Sequence, residues 1–158
     1  MGTDIHVMVE RRSPDEKWHA VDTPQGVWDD RNYGAFGWLA DIRNYSAIPP
    51  LFAGRGIPEG SPFASECDEY CLHSATHFMV SELLAVDYLA SVEDRRCVEI
   101  LADGVPLDIG SGRETCDPGQ GEKMCLGQFL GIYWMQGLLK LAALGSPDDT
   151  RVTVAFDS

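Results

Sequence analysis

A chain of 158 residues, 44% hydrophobic and 23% charged, has the size and composition of one globular domain that buries about 70% of its unfolded surface without help from a disulfide or metal. Twenty-five Asp and Glu against 12 Lys and Arg give a net charge of −13, which opposes general nucleic-acid binding and leaves two options, a local basic pocket for a small nucleotide or an acidic face docking on a basic protein. No apolar run approaches the roughly 20 residues of a membrane helix, the start MGTDIHVMVE lacks the basic and apolar segments of a signal peptide, and five cysteines are an odd count for a disulfide framework, so the expected location is cytoplasmic.

In chain order, residues 3–11 alternate: Ile5, Val7 and Val9 point one way, and Asp4, His6, Met8 and Glu10 the other. That is a half-buried strand. Ser13 to Glu16 form a turn, and Trp18 to Val21 return as the second strand of a hairpin. After a loop over 22–31, Asp30 or Asn32 caps a helix over 33–43. Its face carries Tyr33, Phe36, Leu39, Ala40 and Arg43, and Gly34 and Gly37 weaken it while permitting close approach of a neighbour. Residues 45–66, with Pro49, Pro50, Gly54, Gly56, Pro58, Gly60 and Pro62, read as one long loop.

A second helix is predicted over 79–93, a strand over 97–101 and a Gly/Pro-rich loop over 103–121. The longest helix is predicted over 122–144, where Leu126, Leu130, Trp134, Leu138 and Leu141 recur at helical spacing before the stop at Gly145 and Pro147. Residues 151–157 alternate again, with Val152, Val154 and Phe156 opposing Thr153, Ala155 and Asp157. Terminal segments fray unless tied down, so strands 3–11 and 151–157 are expected to be neighbours. The expected architecture is a single α+β domain: a small sheet including both terminal strands, packed by about three helices, with long Gly/Pro-rich loops.

Three constellations suggest chemistry. The alternation places Asp4, His6 and Asp157 on one face, where His73 and His77 join them if that stretch is helical. Carboxylates and imidazoles suit an acid–base pair, with Asp4, His6, His73 and Asp157 as catalytic candidates, or a divalent metal held by Asp4, His6, His73 and His77. Polar residues are also what the wet face of any sheet carries. The second constellation is Arg31-Asn32-Tyr33, Arg43-Asn44-Tyr45 and Arg55-Gly56. Arginine forks match phosphate or carboxylate and aromatic rings stack on bases, yet the same arginines also neutralise acids. The third is Cys67, Cys71 and His73, whose spacing fits zinc. The partners that would complete that site, Cys116 and Cys125, are nine apart, wider than a usual ligand pair. No P-loop, dinucleotide fingerprint, nucleophile elbow or HExxH is present.

Several islands occur in a fixed order. Gly2-Thr3-Asp4-Ile5-His6 and Glu10 come first, then Arg31-Asn32-Tyr33, Phe36, Leu39-Ala40 and Ile42-Arg43-Asn44. Arg55-Gly56-Ile57-Pro58, His73-Ser74, Ser81-Glu82-Leu83-Leu84 and the ending Arg151 to Asp157 follow. In these the chain resembles a family of small proteins found widely in bacteriophages and prophages. It departs from that pattern at Thr3, where the family often has Cys, and at Thr76 or His77, where it often has a small polar residue. The resemblance implies a viral accessory origin, from which we expect a counter-defence protein acting by binding. It would sequester a nucleotide-type signal on Arg31, Asn32, Tyr33, Arg43, Asn44 and Arg55, or inhibit a host defence protein through its acidic surface. The alternative is a metal-assisted hydrolase or transferase. Assembly as a homo-oligomer is compatible with either.

Overall fold

A computed structural model describes residues 2–96, 99–100, 106–107 and 115–157. In chain order the elements are β1 (Ile5–Arg12), β2 (Trp18–Val21), α1 (Tyr33–Ala40), α2 (Phe63–Tyr70), β3 (His73–Met79), α3 (Val80–Leu84), β4 (Ser91–Asp94), β5 (Glu99–Ile100) and β6 (Pro106–Leu107). They continue with β7 (Glu122–Cys125), α4 (Leu126–Leu130), α5 (Ile132–Ala142), a 3₁₀ turn (Pro147–Asp149) and β8 (Thr150–Phe156).

The two alternating ends of the chain do meet. Strands β1 and β8 pair antiparallel from Ile5 opposite Phe156 to Arg11 opposite Thr150. They form the middle of an antiparallel sheet of order β2-β1-β8-β3, with the predicted hairpin supplying the β2 edge. Three helices of two turns or more, α1, α2 and α5, pack the sheet, so the fold is α+β. No helix among the described residues is long and apolar enough to cross a membrane.

Period-2 alternation gives β8 two buried faces. Val152, Val154 and Phe156 join Val9 and the apolar faces of α1 and α5 in the main core, around Phe36, Leu39, Trp134 and Leu138. Fully burying one such side chain contributes about 1.5–3 kcal/mol. The opposite face is covered as well. Ala155 and Met8 pack against Phe63 and Cys67 of α2, so the middle of this side of the sheet is covered too. Deep inside it, Arg151 forks onto Glu10 at 3.0 and 3.1 Å, and the Ser61 hydroxyl donates to the same carboxylate at 3.0 Å. The Arg151 guanidinium also lies over the Trp18 ring at 4.3 Å.

Helix α1 starts where expected. The Asn32 side chain accepts a hydrogen bond from the Ala35 N–H at 3.0 Å. It stops at Ala40 instead of residue 43 because Asp41 turns to φ +63° and its N–H bonds back to Gly37. Gly37 does admit a close neighbour, since a Cβ there would lie 2.8 Å from the Asn44 Cα.

Three other expectations are corrected. The loop over 45–66 ends early, because α2 begins at Phe63. The helix over 79–93 is only α3, ending at Leu84. Asp87 then accepts from the Leu89 N–H at 3.0 Å, a local bond that competes with helix, and β4 begins at Ser91. The helix over 122–144 is a strand and two helices. Glu122 to Cys125 pair with β4, and Gly131 breaks the rest with φ +85° and ψ 166°. Leu126, Leu130, Trp134, Leu138 and Leu141 are nevertheless all buried. Of the strand expected over 97–101, residues 99–100 form β5 and the remainder lies outside the described residues. The loop expected over 103–121 contains β6, and its residues 103–105 and 108–114 lie outside them too.

Candidate functional site

The N-terminal residues thread a polar node at the end of the sheet. The Asp4 N–H donates to an Asp157 carboxylate oxygen at 2.7 Å, and the Asp157 N–H donates to the Asp4 carbonyl at 3.2 Å. Arg31 forks onto the Asp4 carboxylate, Nε to Oδ1 at 2.5 Å and Nη2 to Oδ2 at 3.0 Å. That hydrogen bond holds the Asp4 carboxyl below its ordinary value. His6 stands between two acids, with Nε2 3.5 Å from Asp157 Oδ2 and Nδ1 3.7 Å from Glu66 Oε1. The Tyr70 ring stacks on it with centroids 6.1 Å apart. Asp4, His6 and Asp157 are thus brought together as expected. Glu66 and Tyr70 come from α2, the helix hidden inside the expected loop.

His73 and His77 do not join this node. They lie on a strand, not a helix. His73 pairs opposite Phe156, and its Nδ1 is 3.0 Å from the Ser74 hydroxyl. His77 donates from Nδ1 to the Gly56 carbonyl at 2.9 Å. Among the described residues no three His, Cys, Asp or Glu side chains are grouped to hold a metal ion. Asp4, His6, His73 and His77 are therefore not gathered into one such group. The cysteine expectation meets the same obstacle. Cys67 is buried, and burial and the neighbouring Glu66 and Asp68 push its thiol up, away from the thiolate that zinc requires. Cys71 is exposed, and the Cys116 N–H donates to the Arg95 carbonyl at 2.9 Å, on another part of the chain.

The arginine constellation divides in two. Arg43 donates from Nε to the Thr3 hydroxyl at 2.6 Å, lies over the Tyr33 ring at 5.2 Å, and reaches the Tyr45 hydroxyl at 3.3 Å. The Tyr33 hydroxyl accepts from the Thr3 N–H at 3.2 Å. Arg31 and Arg43 therefore meet the Asp/His node through Asp4 and Thr3. Arg55 is elsewhere, forked onto Glu82 at 2.9 Å twice and packed over Phe52. This pairing holds the Glu82 carboxyl below its ordinary value. Both asparagines serve the backbone. Asn32 caps α1 and donates to the Leu130 carbonyl at 2.7 Å. Asn44 bridges both backbone groups of Ile48 and the Asp41 carboxylate.

The sequence islands thus find one another as ion pairs: Asp4 with Arg31, Glu10 with Arg151, Arg55 with Glu82. Their charges are spent mainly inside the molecule.

A second feature adjoins the node through Ile5 and Asn32. A cleft of about 370 Å³ opens between the loop at 25–32 and α5. Trp28 and Trp134 stack at its base, ring centroids 4.0 Å apart and nearly parallel. The Trp28 N–H donates to the Trp134 carbonyl at 3.2 Å, and the stack needs Gly137, where a Cβ would lie 2.6 Å from the Trp28 Nε1. Beside the cleft, α5 exposes Ile132 at 64%, Tyr133 at 68% and Leu139 at 68%. The spacing expected for a core helix located the buried face of α5 and said nothing of this outer one. The signal present was the apolar residues left over once the core positions were assigned. The chain matches no family model, no curated protein and no solved structure.

Proposed function

We propose that the protein is a phage-type accessory protein acting by binding, with a host protein as its target and the outer face of α5 as the contact surface. One observation carries this reading. Ile132, Tyr133 and Leu139, each more than half exposed, lie on one helix, and Tyr133 lines a cleft together with the exposed acids Asp29 and Asp30, in a chain of net charge −13. An exposed apolar patch with a polar rim marks an interaction surface, and its acidic surroundings select a basic partner. A nucleotide is the weaker alternative, because Arg31 and Arg55 already hold carboxylates, Arg43 holds Thr3, and Arg55 is remote from the other two.

The test is native mass spectrometry on the tagged chain purified gently from a bacterium, with Ile132→Ser/Leu139→Ser in parallel. Wild type is expected to carry a basic protein that the double variant loses. Retention of that protein by the variant refutes the surface, and a retained nucleotide mass refutes the target class. A dimer abolished by the variant assigns the face to a second copy instead.

His6, set between Asp157 and Glu66, favours a second reading, acid–base chemistry at the node. Its test is elemental analysis together with Asp4→Ala and His6→Ala. A bound metal and loss of function in both variants would support it.

A further inference from the structure

The cleft beside α5 has a chemistry of its own. Its base is apolar, with Ile5 and the Trp28–Trp134 stack, and Asp29, Asp30 and Tyr133 also line it. Lys140 contributes as well, but its ammonium is tied to the loop, donating to the Gln25 carbonyl at 2.6 Å. Asp29 and Asp30 are exposed. Among the described residues neither makes a hydrogen bond or ion pair, in contrast to Asp4, Glu10, Glu82, Asp94 and Asp149, each held by an arginine. Trp28 takes φ +54°, a left-handed conformation that costs a bulky residue about 1 kcal/mol or more. The surrounding contacts therefore fix this wall in place.

Each part of the lining narrows the ligand. The carboxylates call for a cation and repel phosphate. An exposed phenol ring favours a planar cation over its face. The apolar base takes a methylene stem. Arginine meets all three demands, because its fork matches carboxylates, its plane stacks on aromatic rings and its stem is apolar. An ammonium, compact and strongly hydrated, meets the first demand fully and the second poorly. The volume lies at the small end of ligand pockets, enough for a side chain or two.

We infer that the cleft accepts an arginine side chain from the basic partner, its guanidinium held by Asp29, Asp30 and Tyr133 and its stem lying along Ile5 and the indoles. The inference rests on the binding role of the α5 face and names the residue that the partner presents there.

Short Gly/Ser peptides with a central Arg, Leu or Glu, titrated into the full chain, test it through the Trp28 indole N–H resonance and tryptophan fluorescence. The Arg peptide alone is expected to move both signals. Asp29→Asn/Asp30→Asn, which removes no contact in the free protein, is expected to weaken that peptide by about 5-fold or more, and added salt should weaken it similarly. A Leu or Glu peptide that binds equally, an Arg peptide that moves nothing, or an unchanged affinity in the Asn variant overturns the inference. The two proposals separate cleanly. If the Arg peptide fails while Ile132→Ser/Leu139→Ser still abolishes partner capture, the arginine assignment falls and the α5 surface stands. If the peptide binds while partner capture ignores those substitutions, the surface falls.

Discussion

Replacing Arg151 by methionine isolates the buried ion pair that joins β1 to β8. The Glu10 side chain is 0% exposed and that of Arg151 9%. The variant strands a carboxylate in the layer between the sheet and α2, with the Ser61 hydroxyl as its one remaining partner among the described residues. Removing one member of a buried pair costs about 3–5 kcal/mol, mostly the penalty of the charge left behind. The lost stacking on Trp18 adds about 0.5–2 kcal/mol. Urea unfolding at neutral pH should register the summed loss of about 3.5–7 kcal/mol directly, and thermal unfolding should show a drop of about 7–28 °C at roughly 2–4 °C per kcal/mol for a chain of this size. Arg151→Lys keeps the charge without the fork and is expected to fall between. The decisive comparison is Glu10→Leu/Arg151→Met, which removes both charges and should recover most of the loss. A single Met variant within about 1 kcal/mol of wild type, the range of an exposed pair, would refute the reasoning. So would a double variant no more stable than the single one.

Two further outcomes follow from contacts at the expected site residues. Asn32→Ala removes the α1 cap and the donor to Leu130, and should cost about 1–2 kcal/mol in chemical denaturation. An unchanged midpoint would show that Asn32 is spared structural duty and is available for a ligand. The pH dependence comes from carboxylates held low. The Arg55 hydrogen bond depresses Glu82 below its ordinary value of 4.5. At Asp94 burial pushes up, and hydrogen bonds from Arg96 and Ser46 more than reverse it, to below the ordinary 3.8. A group whose folded value is depressed stabilises fully above its unfolded value, and loses that contribution as pH falls through the folded one. Urea midpoints should therefore hold from neutral pH to just above 4.5 and fall below it, with a shallower fall in Arg55→Gln. A midpoint that rises on acidification would contradict these assignments.

What the sequence could and could not announce follows from the range of the interactions involved. The pairing of β1 with β8 was legible because period-2 alternation survives at both ends and the register keeps Ile5, Val7 and Val9 on the side of Val152, Val154 and Phe156. The α1 start was legible because an N-cap is local. The broken helix at 126–142 kept its apolar spacing and so looked continuous. Its break depends on Gly131 adopting a conformation open to glycine, and its lost first turn depends on Glu122 to Cys125 finding β4, a partner distant in sequence.

The site divides along the same line. Alternation placed Asp4, His6 and Asp157 together, but nothing local forecast that Arg31 would close on Asp4 or that α2 would bring Glu66 to His6. In sequence the arginines stand apart from the acids they pair with, so they resemble a binding set. Folding supplies those acids from other islands, so the residues that looked most functional are largely the ones that fasten the chain to itself. The groups left over among the described residues are Asp29 and Asp30, without a counter-ion, and Ile132, Tyr133 and Leu139, without a cover. An unpaired charge and an uncovered apolar face are defined by what the rest of the folded chain leaves unsatisfied, a property of the whole three-dimensional contact set that no local stretch of sequence carries.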